Sequence, residues 1–301
     1  MGELESWFKE CRRDFPWRRE TTPYRVWISE VMLQQTRASV VIPYFLRWME
    51  LFPNVKALYI APIEQVIKTW EGLGYYSRAR NLHAAAKQIV EEFGGEIPDT
   101  REALMSIRGF GPYTTGALLS FGFKKRSAAV DGNVLRVISR YFLIEENVVR
   151  PSVRRAIEEK AESLLDTEIP WVTAEALIEL GATICTPKPR CEDCPLKKGC
   201  LALQSGKAES LPIKNIEARS TLLHRTVLVI EHEGSVLVKK GETGKVMADL
   251  YEFPYFEKVK GGRKEILECG RSFFGGEVEW VRKLKDLSHT FTRYKAHLSP
   301  V

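Results

Sequence analysis

Apolar residues recur at helical spacing through the first two thirds of the chain, over 3–203. The segment 81–93 has this pattern, with apolar positions at Leu82, Ala86, Ile89 and Phe93. Two glycines are then expected to end the helix, and Asp99 with Glu102 predicts a capping box at the start of the next one. The same spacing predicts two further helices, over 153–165 and 171–184.

The pattern changes at 204–222, where Ser, Gly, Lys, Pro and Asn replace the helical periodicity. Beyond this stretch, apolar runs of β type at 226–230 and 235–238 flank the turn-forming segment 231–234, which predicts a hairpin. The sequence therefore predicts a mainly α protein in three parts. These are a helical domain, a linker and a small α+β domain, at 1–203, 204–222 and 223–301.

Composition is that of a soluble globular protein, because 44% of the 301 residues are hydrophobic and 28% are charged. The net charge of +6 suits a polyanionic partner, although a mildly basic enzyme without one is the alternative. No apolar run reaches the ~18–20 residues that span a membrane, and the acidic N-terminus lacks the apolar core of a signal peptide. We therefore expect an intracellular, cytoplasmic monomer, whose cysteines are not expected to form disulfides.

Four of the six cysteines fall within sixteen residues, spaced C-x5-C-x2-C-x5-C, at Cys185, Cys191, Cys194 and Cys200. Thiolates so close in sequence indicate one metal centre, and the spacing alone leaves zinc and an iron–sulfur cluster open. Nearby basic residues are expected either to meet phosphates or to offset thiolate charge, at Lys188, Arg190, Lys197 and Lys198. Cys11 and Cys269 are isolated and are expected to be ordinary thiols.

A tight glycine turn between two predicted helices lies at 107–116. Such a turn points backbone N–H groups toward an anion, and Gly109 and Gly111 have no side chain to keep that anion away. A lone acid, Asp131, follows at the start of the next predicted helix. The turn is therefore a candidate anion-binding site.

A single carboxylate, Glu30, stands inside the apolar helical run 26–36. Trp27 and Gln34 share its helix face. A solvated glutamate on an amphipathic helix is the ordinary interpretation. A glutamate packed among apolar side chains would instead have a raised pKa and hold a proton at neutral pH.

Together these segments resemble the adenine DNA glycosylases (MutY type) of the helix-hairpin-helix/GPD superfamily. The run 27–36, Trp-Ile-Ser-Glu-Val-Met-Leu-Gln-Gln-Thr, matches their catalytic helix, whereas endonuclease III relatives share its Leu-x-Gln-Thr part and lack the glutamate. The resemblance implies a six-helix module with an iron–sulfur module, followed by a small α+β MutT/Nudix-like domain. Relatives that also cut the strand carry a nucleophilic lysine where this chain has Tyr113, which implies base removal alone.

The resemblance assigns separate roles to two carboxylates. Adenine is a poor leaving group until it is protonated, so Glu30 is expected to protonate it and later to activate water. Asp131 is expected to stay ionised at a helix N-terminus and to stabilise or briefly trap the sugar cation, so that the two pKa values move apart. Tyr113 and Asn133 would assist near the sugar.

Other site residues follow from the same resemblance. The segment 72–81 resembles the loop that enters the duplex, so Tyr75 and Gln35 would fill the gap left by the extruded base; packing is the alternative for Tyr75. An adenine pocket is implied at Trp17, Arg18 and Glu175, with structural roles as the alternative. The four cysteines would hold a 4Fe-4S cluster, although their first spacing is five residues where the family has six.

In the last part of the chain, 247–254 and 287–292 resemble pieces of the family's recognition domain. A Phe-Ser-His tip that contacts 8-oxoguanine in the family reads Leu287-Ser288-His289 here, which retains an apolar wedge and loses aromatic stacking. Hydrogen bonding at the end of a loop is the alternative role for Ser288 and His289. No Nudix catalytic run is present, so pyrophosphate hydrolysis is not expected. The family domain has a further strand and helix, which implies a truncated or shortened domain here.

The expected function is removal of adenine mispaired with 8-oxoguanine or guanine in double-stranded DNA, in base-excision repair. One alternative is an endonuclease III-like pyrimidine glycosylase with lyase activity; Tyr113 and Glu30 argue against it. The other is a lesion-binding module without chemistry, and the pair of Glu30 and Asp131 argues against that.

Overall fold

The computed structural model describes residues 2–166, 168–215, 221–242, 250–257, 262–291 and 294–301. They belong to two compact units, Met1–Asn215 and Ile216–Val301. The division lies inside the stretch 204–222 that was expected to be a linker. The first half of that stretch is part of the helical unit, because the backbone N–H of Val148 donates to the carbonyl of Ile213 at 3.0 Å.

The first unit is helical, as the spacing predicts. Its described α-helices are α1 (Gly2–Cys11), α2 (Pro16–Arg19), α3 (Pro23–Leu33), α4 (Ala38–Leu51), α5 (Val55–Ile60), α6 (Ile63–Trp70), α7 (Ser77–Phe93), α8 (Arg101–Ser106), α9 (Pro112–Ala117), α10 (Gly132–Tyr141), α11 (Pro151–Ser163), α12 (Pro170–Thr183) and α13 (Leu201–Gln204). A π-helical turn, Leu118–Gly122, continues α9.

Local chemistry explains where these helices begin and end. α7 ends where Gly94 adopts a left-handed φ of 65°, as predicted. The predicted capping box is wrong, because Thr100 rather than Asp99 caps α8 by accepting the N–H of Ala103. Asp99 instead pairs with Nζ of Lys125 at 2.5 Å. α11 and α12 confirm the two other predicted helices, with slightly earlier bounds.

Two apolar clusters hold the helical unit together. In one, α1 packs with α10, α11 and α12 through buried side chains that include Leu4, Phe8, Ile138, Ile157 and Leu180. In the other, Trp27, Trp48 and Trp70 are fully buried, and Trp48 meets Trp70 edge to face at 5.7 Å. Burial of one large apolar side chain contributes roughly 1.5–3 kcal/mol. α3 packs against α4, α7 and α9, so the helix that carries Glu30 is held from several sides.

The second unit is a small α+β unit. Its described strands are β1 (Thr221–Val227), β2 (Glu231–His232), β3 (Ser235–Val236), β4 (Lys239–Lys240), β5 (Tyr251–Glu252), β6 (Tyr255–Glu257), β7 (Leu287–Phe291) and β8 (Tyr294–Pro300), and helix α14 (Arg263–Phe274) precedes β7. The main sheet has the order β6-β1-β8-β7, with β1 and β8 parallel and the other two pairs antiparallel. Two short ribbons pair β2 with β3 and β4 with β5.

The predicted hairpin is present but shorter than expected. Its strands are β2 and β3, so the turn is limited to Glu233 and Gly234, with φ values of 49° and 75°. The prediction that 226–230 forms a hairpin strand is wrong for most of that run, because β1 ends at Val227 and pairs with β6 and β8. Of the two segments that carry the resemblance in this unit, 247–249 and 292 lie outside the described residues. Among the described helices, none has the length and apolar character of a membrane span.

Candidate active site

A cavity of about 870 Å³ opens into the helical unit. It is lined by predicted site residues from α2, α3, α9, α10, α12 and the chain after α3, namely Trp17, Arg18, Glu30, Gln35, Tyr113, Asp131, Asn133 and Glu175. The fold thus gathers side chains that are far apart in sequence around one space. The other predicted site residues lie outside this cavity.

Glu30 lies on the buried side of α3 and is 8% exposed. Burial raises the pKa of its carboxyl to about 7, and the hydrogen bond from Tyr113 acts in the opposite direction. The negative charges of Asp131 and Glu175 add to the rise. The expected raised pKa is confirmed, so a large fraction of this carboxyl carries a proton at neutral pH.

Asp131 caps the N-terminus of α10. Its Oδ1 accepts the backbone N–H groups of Asn133 (2.9 Å) and Val134 (2.8 Å), and its Oδ2 accepts Nδ2 of Asn133 (2.7 Å). These bonds favour the carboxylate. Burial outweighs them and raises the pKa of Asp131 above its ordinary value. The pKa values of both carboxyls therefore rise: the helix N-terminus favours the charged form of Asp131, as expected, but does not bring its pKa below the ordinary value.

Tyr113 connects the glycine hairpin to Glu30. It follows Pro112 in the first turn of α9, and its hydroxyl donates to Oε2 of Glu30. Burial and the nearby charges of Glu30 and Asp131 raise the pKa of Tyr113 well above that of an ordinary tyrosine, so the phenol stays protonated. The position offers a neutral hydrogen-bond donor and no amine.

Asn133 is held on its far side by Arg136, a residue that the sequence reasoning missed. Nη2 of Arg136 donates to Oδ1 of Asn133 at 3.0 Å and to the carbonyl of Gly181 at 2.7 Å, and Nε donates to the carbonyl of Cys185 at 2.7 Å. Gly181 allows α12 to approach this closely, because a Cβ there would lie 2.6 Å from Cβ of Asn133. The i, i+3 spacing of Asn133 and Arg136 on α10 is the signal that was available.

Arg18 and Glu175 line the cavity and pair with each other, with Nε 3.0 Å from Oε1. Nη2 of Arg18 also lies 2.9 Å from Oε2 of Glu179, a fully buried residue that Arg13 contacts at 2.5 Å. Burial alone would raise the pKa of Glu179, but the two guanidinium groups outweigh it and lower that pKa. Glu179 and Arg13 were also missed; the i, i+4 spacing of Glu175 and Glu179 was the available signal.

Trp17 lies in the cavity wall and is 6% exposed. Its ring stacks on Phe15 at 4.8 Å and meets Phe45 edge to face at 5.6 Å. These contacts are those of a packed core residue. Most of the indole surface of Trp17 therefore serves packing, which was the alternative to adenine binding.

Three predicted DNA-binding residues of the helical unit lie outside the cavity. Tyr75, between α6 and α7, is 48% exposed and has a left-handed φ of 48°. Gly109 has a φ of 83°, and a Cβ there would lie 2.8 Å from Cβ of Asn81, so the fold requires glycine. Gly111 has an ordinary backbone and free space around it. The fold does not require glycine at Gly111, and close approach of a ligand is the remaining physical reason for it.

Ser288 and His289 belong to the second unit, where both are exposed residues of β7. The alternative role, hydrogen bonding at the end of a loop, is wrong for both residues because they lie inside a strand. Oγ of Ser288 is 2.7 Å from Nδ1 of His297 on β8, and the ring of His297 stacks on His224 at 5.3 Å. Leu287 is 55% exposed, as an apolar wedge would need to be.

The four predicted metal-binding cysteines form no disulfides, and Arg140 of α10 contacts two of them. Nη1 of Arg140, a residue only 2% exposed, lies 3.3 Å from Sγ of Cys185, and Sγ of Cys200 lies 3.6 Å from the carbonyl of Arg140. Burial raises the pKa of Cys194 to about 11, and the neighbouring thiols contribute to the rise.

Within the described residues, no three His, Cys, Asp or Glu side chains meet closely enough to hold one metal ion. The cysteines are near enough to influence one another electrostatically.

Comparison with known proteins identifies the family of this chain. Residues 28–164 match the model of the HhH-GPD superfamily base excision DNA repair protein. The adenine DNA glycosylase of Buchnera aphidicola (subsp. Acyrthosiphon pisum) is 32% identical over 98% of this chain and 84% of its own length. The adenine DNA glycosylase of Homo sapiens is 41% identical over 70% of this chain, which spans only 40% of that relative.

Among solved structures, a thermostable thymine-DNA glycosylase superposes with a TM-score of 0.63 and 30% identity, over 68% of this chain and 94% of that one. A non-covalent endonuclease III–DNA complex superposes with a TM-score of 0.58 at 23% identity, over the same shares of the two chains, which supports the fold alone. Fold and site thus define a base-excision DNA glycosylase of the helix-hairpin-helix class. The chain belongs to the adenine DNA glycosylase family within the HhH-GPD superfamily.

Proposed function

We propose that this glycosylase removes adenine mispaired with 8-oxoguanine or guanine in double-stranded DNA, and that it acts on DNA in the cytoplasm without cutting the strand. The observation that carries the proposal is the buried carboxyl of Glu30, whose pKa is about 7, in a cavity that it shares with Asp131. An acid with a pKa near the working pH is suited to proton donation. The relatives named adenine DNA glycosylases support adenine as the base.

The reaction begins when Glu30 gives its proton to a ring nitrogen of the extruded adenine. The bond from that base to C1′ of the sugar then breaks, and its electron pair leaves with neutral adenine. Water adds to the resulting oxocarbenium ion at C1′, and its surplus proton returns to the Glu30 carboxylate. The acid is thereby regenerated and an abasic site remains.

Asp131 supplies the negative charge that stabilises the sugar cation. Its two oxygens are fixed by donors from Asn133 and Val134, so the carboxylate does not need to reorganise when the cation forms. Arg136 in turn fixes the amide of Asn133.

Tyr113 is the basis for proposing that the strand stays intact. A Schiff base with the sugar requires an amine, and the neutral phenol at this position has none. Tyr113 instead donates to Glu30 and orients its carboxyl.

The adenine pocket is proposed at the cavity wall formed by Trp17, Arg18 and Glu175. Because Arg18 is already shared between Glu175 and Glu179, we assign the polar contact with the adenine edge to Glu175 and a positioning role to Arg18. Trp17 contributes the apolar floor.

Outside the cavity, backbone N–H groups at Gly109 and Gly111 are proposed to hold a DNA strand. Gln35 and Tyr75 are proposed to occupy the gap that the extruded adenine leaves in the duplex. In the second unit, Ser288 and His289 are proposed to contact 8-oxoguanine, with Leu287 as an apolar wedge. The exposure of all three supports this assignment.

A 4Fe-4S cluster is proposed as the cofactor, since glycosylases of this and the endonuclease III type commonly contain one. Its ligands would be Cys185, Cys191, Cys194 and Cys200. The donor set fits the cluster: the four residues are thiols near enough to affect one another electrostatically, and Arg140 can donate to a thiolate at Cys185. When bound, the cluster would cross-link the loop through its iron–thiolate bonds.

The proposal is tested by single-turnover assays on duplexes with adenine opposite 8-oxoguanine, guanine or thymine, each analysed with and without alkali. Strand breaks that appear only after alkali, fastest opposite 8-oxoguanine, are expected. Strand breaks without alkali would support the endonuclease III-like alternative. Equal rates of adenine release opposite guanine and 8-oxoguanine would contradict the proposed recognition role of the second unit. Binding without any adenine release would favour a lesion-binding module.

A further inference from the structure

Arg78 is a buried cation in the first turn of α7, and none of the roles described so far uses it. It is 8% exposed, and burial lowers the pKa of its guanidinium. In the described part of the chain, its contacts are with carbonyl oxygens, a hydroxyl and two aromatic rings rather than with a carboxylate. A cation near a helix N-terminus is also opposed by the helix dipole, so α7 itself does not explain Arg78.

One side of the guanidinium closes the C-terminus of α3. Nη1 lies 2.8 Å from the carbonyl of Val31, 3.0 Å from that of Met32 and 2.6 Å from that of Gln34. The last carbonyls of a helix lack partners within the helix, and a cation there is favourable. The next residue, Gln35, is exposed and has a left-handed φ of 57°.

The other side of the guanidinium holds the loop between α6 and α7. Nη2 lies 3.1 Å from the carbonyl of Leu73 and 3.3 Å from that of Gly74. The next residue is Tyr75, half exposed and left-handed like Gln35, with its ring centroid 5.7 Å from the guanidinium carbon. The ring of Trp70 lies on the guanidinium at 5.0 Å.

One guanidinium therefore connects the two exposed residues that are proposed to fill the gap in the duplex. Both carry a left-handed backbone, which is costly for a residue other than glycine and persists only where the surroundings enforce it. We propose that Arg78 is a positioning residue that holds Gln35 and Tyr75 as one preformed clamp for the gap left by an extruded base. This inference rests on the gap-filling part of the proposed function.

Lysine cannot replace arginine in this role. The guanidinium presents donors in a planar fork and reaches both loops at once, whereas an ammonium group is a single point charge. Arg78→Lys therefore keeps the charge and removes the connection. Lys87→Arg, a charge-preserving exchange at an exposed position of the same helix, is the matched control.

The test measures binding by fluorescence anisotropy at fixed salt, with a duplex that carries a tetrahydrofuran abasic analogue opposite guanine and with the fully paired duplex. Arg78→Lys is expected to weaken binding to the abasic duplex about tenfold, the scale of one lost base-stacking contact, and to leave the paired duplex unchanged. Tyr75→Ala alone is expected to weaken abasic binding, and it should add little in the Arg78→Lys background. Lys87→Arg should behave as the wild type.

The proposal is overturned if Arg78→Lys keeps the abasic affinity, if it loses affinity equally for both duplexes, or if the Tyr75→Ala effect is fully additive. Thr36→Val removes one acceptor of Nη2 at 3.3 Å and is expected to give a smaller loss of the same kind, so it replaces Arg78→Lys if that variant does not fold. Wild-type protein that prefers the abasic duplex but releases no adenine would remove the proposed function and leave the clamp standing. If the wild-type protein releases adenine and Arg78→Lys retains its affinity for the abasic duplex, the proposed function stands and the clamp is overturned.

Discussion

The hydroxyl of Tyr113 donates a hydrogen bond to Oε2 of Glu30 and so links the hairpin at 107–116 to the helix α3. This bond lowers the pKa of Glu30 against the larger effect of burial, which raises it to about 7. Tyr113, which stands where the resemblance implies a lysine nucleophile in strand-cutting relatives, therefore adjusts the pKa of the carboxyl that is proposed to act as the acid.

Tyr113→Phe is expected to shift the pH dependence of base release. Because Glu30 is proposed to act as an acid, base release is expected to be fast below its pKa and to fall as the pH rises through about 7. Loss of the hydroxyl raises that pKa further, so the basic limb of the profile moves to higher pH. Single-turnover rates from about pH 5.5 to about pH 9 measure this, with Tyr59→Phe as control. A limb that stays in place or moves to lower pH would show that the bond does not tune Glu30.

Glu30→Gln is expected to abolish most adenine release and to stabilise the fold at alkaline pH. A carboxyl whose folded pKa is raised favours the folded state when protonated, so wild-type stability falls as the pH rises from its ordinary pKa of 4.5 through about 7. The uncharged amide of Gln does not titrate, so the variant avoids this loss of folding stability, which is about 3 kcal/mol for a buried carboxyl. Chemical denaturation at about pH 5 and about pH 8 measures the difference. The assignment is wrong if the variant gains no stability at the higher pH.

Glu179→Gln is expected to destabilise the helical unit by about 1–3 kcal/mol, because it removes the buried carboxylate that Arg13 and Arg18 share. Since these partners lower the pKa of Glu179, its contribution is present above the ordinary pKa of 4.5 and is lost as the pH falls through the folded value. The difference from wild type should thus shrink in acid. Glu175→Gln, at a partly exposed position, is the control for unfolding measurements, and an equal effect of both variants would argue against a special role for Glu179.

Gly181→Ala is expected to impair both stability and base release. The new Cβ would lie 2.6 Å from Cβ of Asn133 and 2.9 Å from its backbone, so α10 or α12 must shift. Overpacking of this kind costs about 1–3 kcal/mol, and it displaces the Asn133 amide that fixes Asp131. Thermal unfolding and the single-turnover rate measure the two effects, with Gly2→Ala, at an open helical position, as control. Unchanged rates would mean that the Asp131–Asn133 bond does not matter for chemistry.

Metal analysis of the purified protein is expected to give iron and acid-labile sulfide in equal amounts and no stoichiometric zinc. Cys194→Ser should lower the iron content and the visible absorbance, because it removes one of four thiolates. Cys269→Ser, far from the group in sequence, should leave both unchanged. One zinc per chain and a colourless protein would contradict the cluster.

The sequence by itself determined that the first part of the chain is helical and that the last part contains β-strands. It also singled out Glu30, Asp131 and the four cysteines as the candidate reactive groups. These follow from local rules, because periodicity, caps and clustered thiols are properties of neighbouring residues. A partner that is distant in sequence can still override a local rule. Asp99 was predicted to cap α8, but its carboxylate pairs with the ammonium group of Lys125 instead.

Only the tertiary structure decided which groups share an environment. The pKa of Asp131 rises because burial outweighs its capping bonds, and burial is a property of the whole fold. Glu179 and Arg78 were unremarked in the sequence, since their significance lies in partners from distant segments. Desolvation and the convergence of charges depend on distances that one-dimensional spacing does not contain.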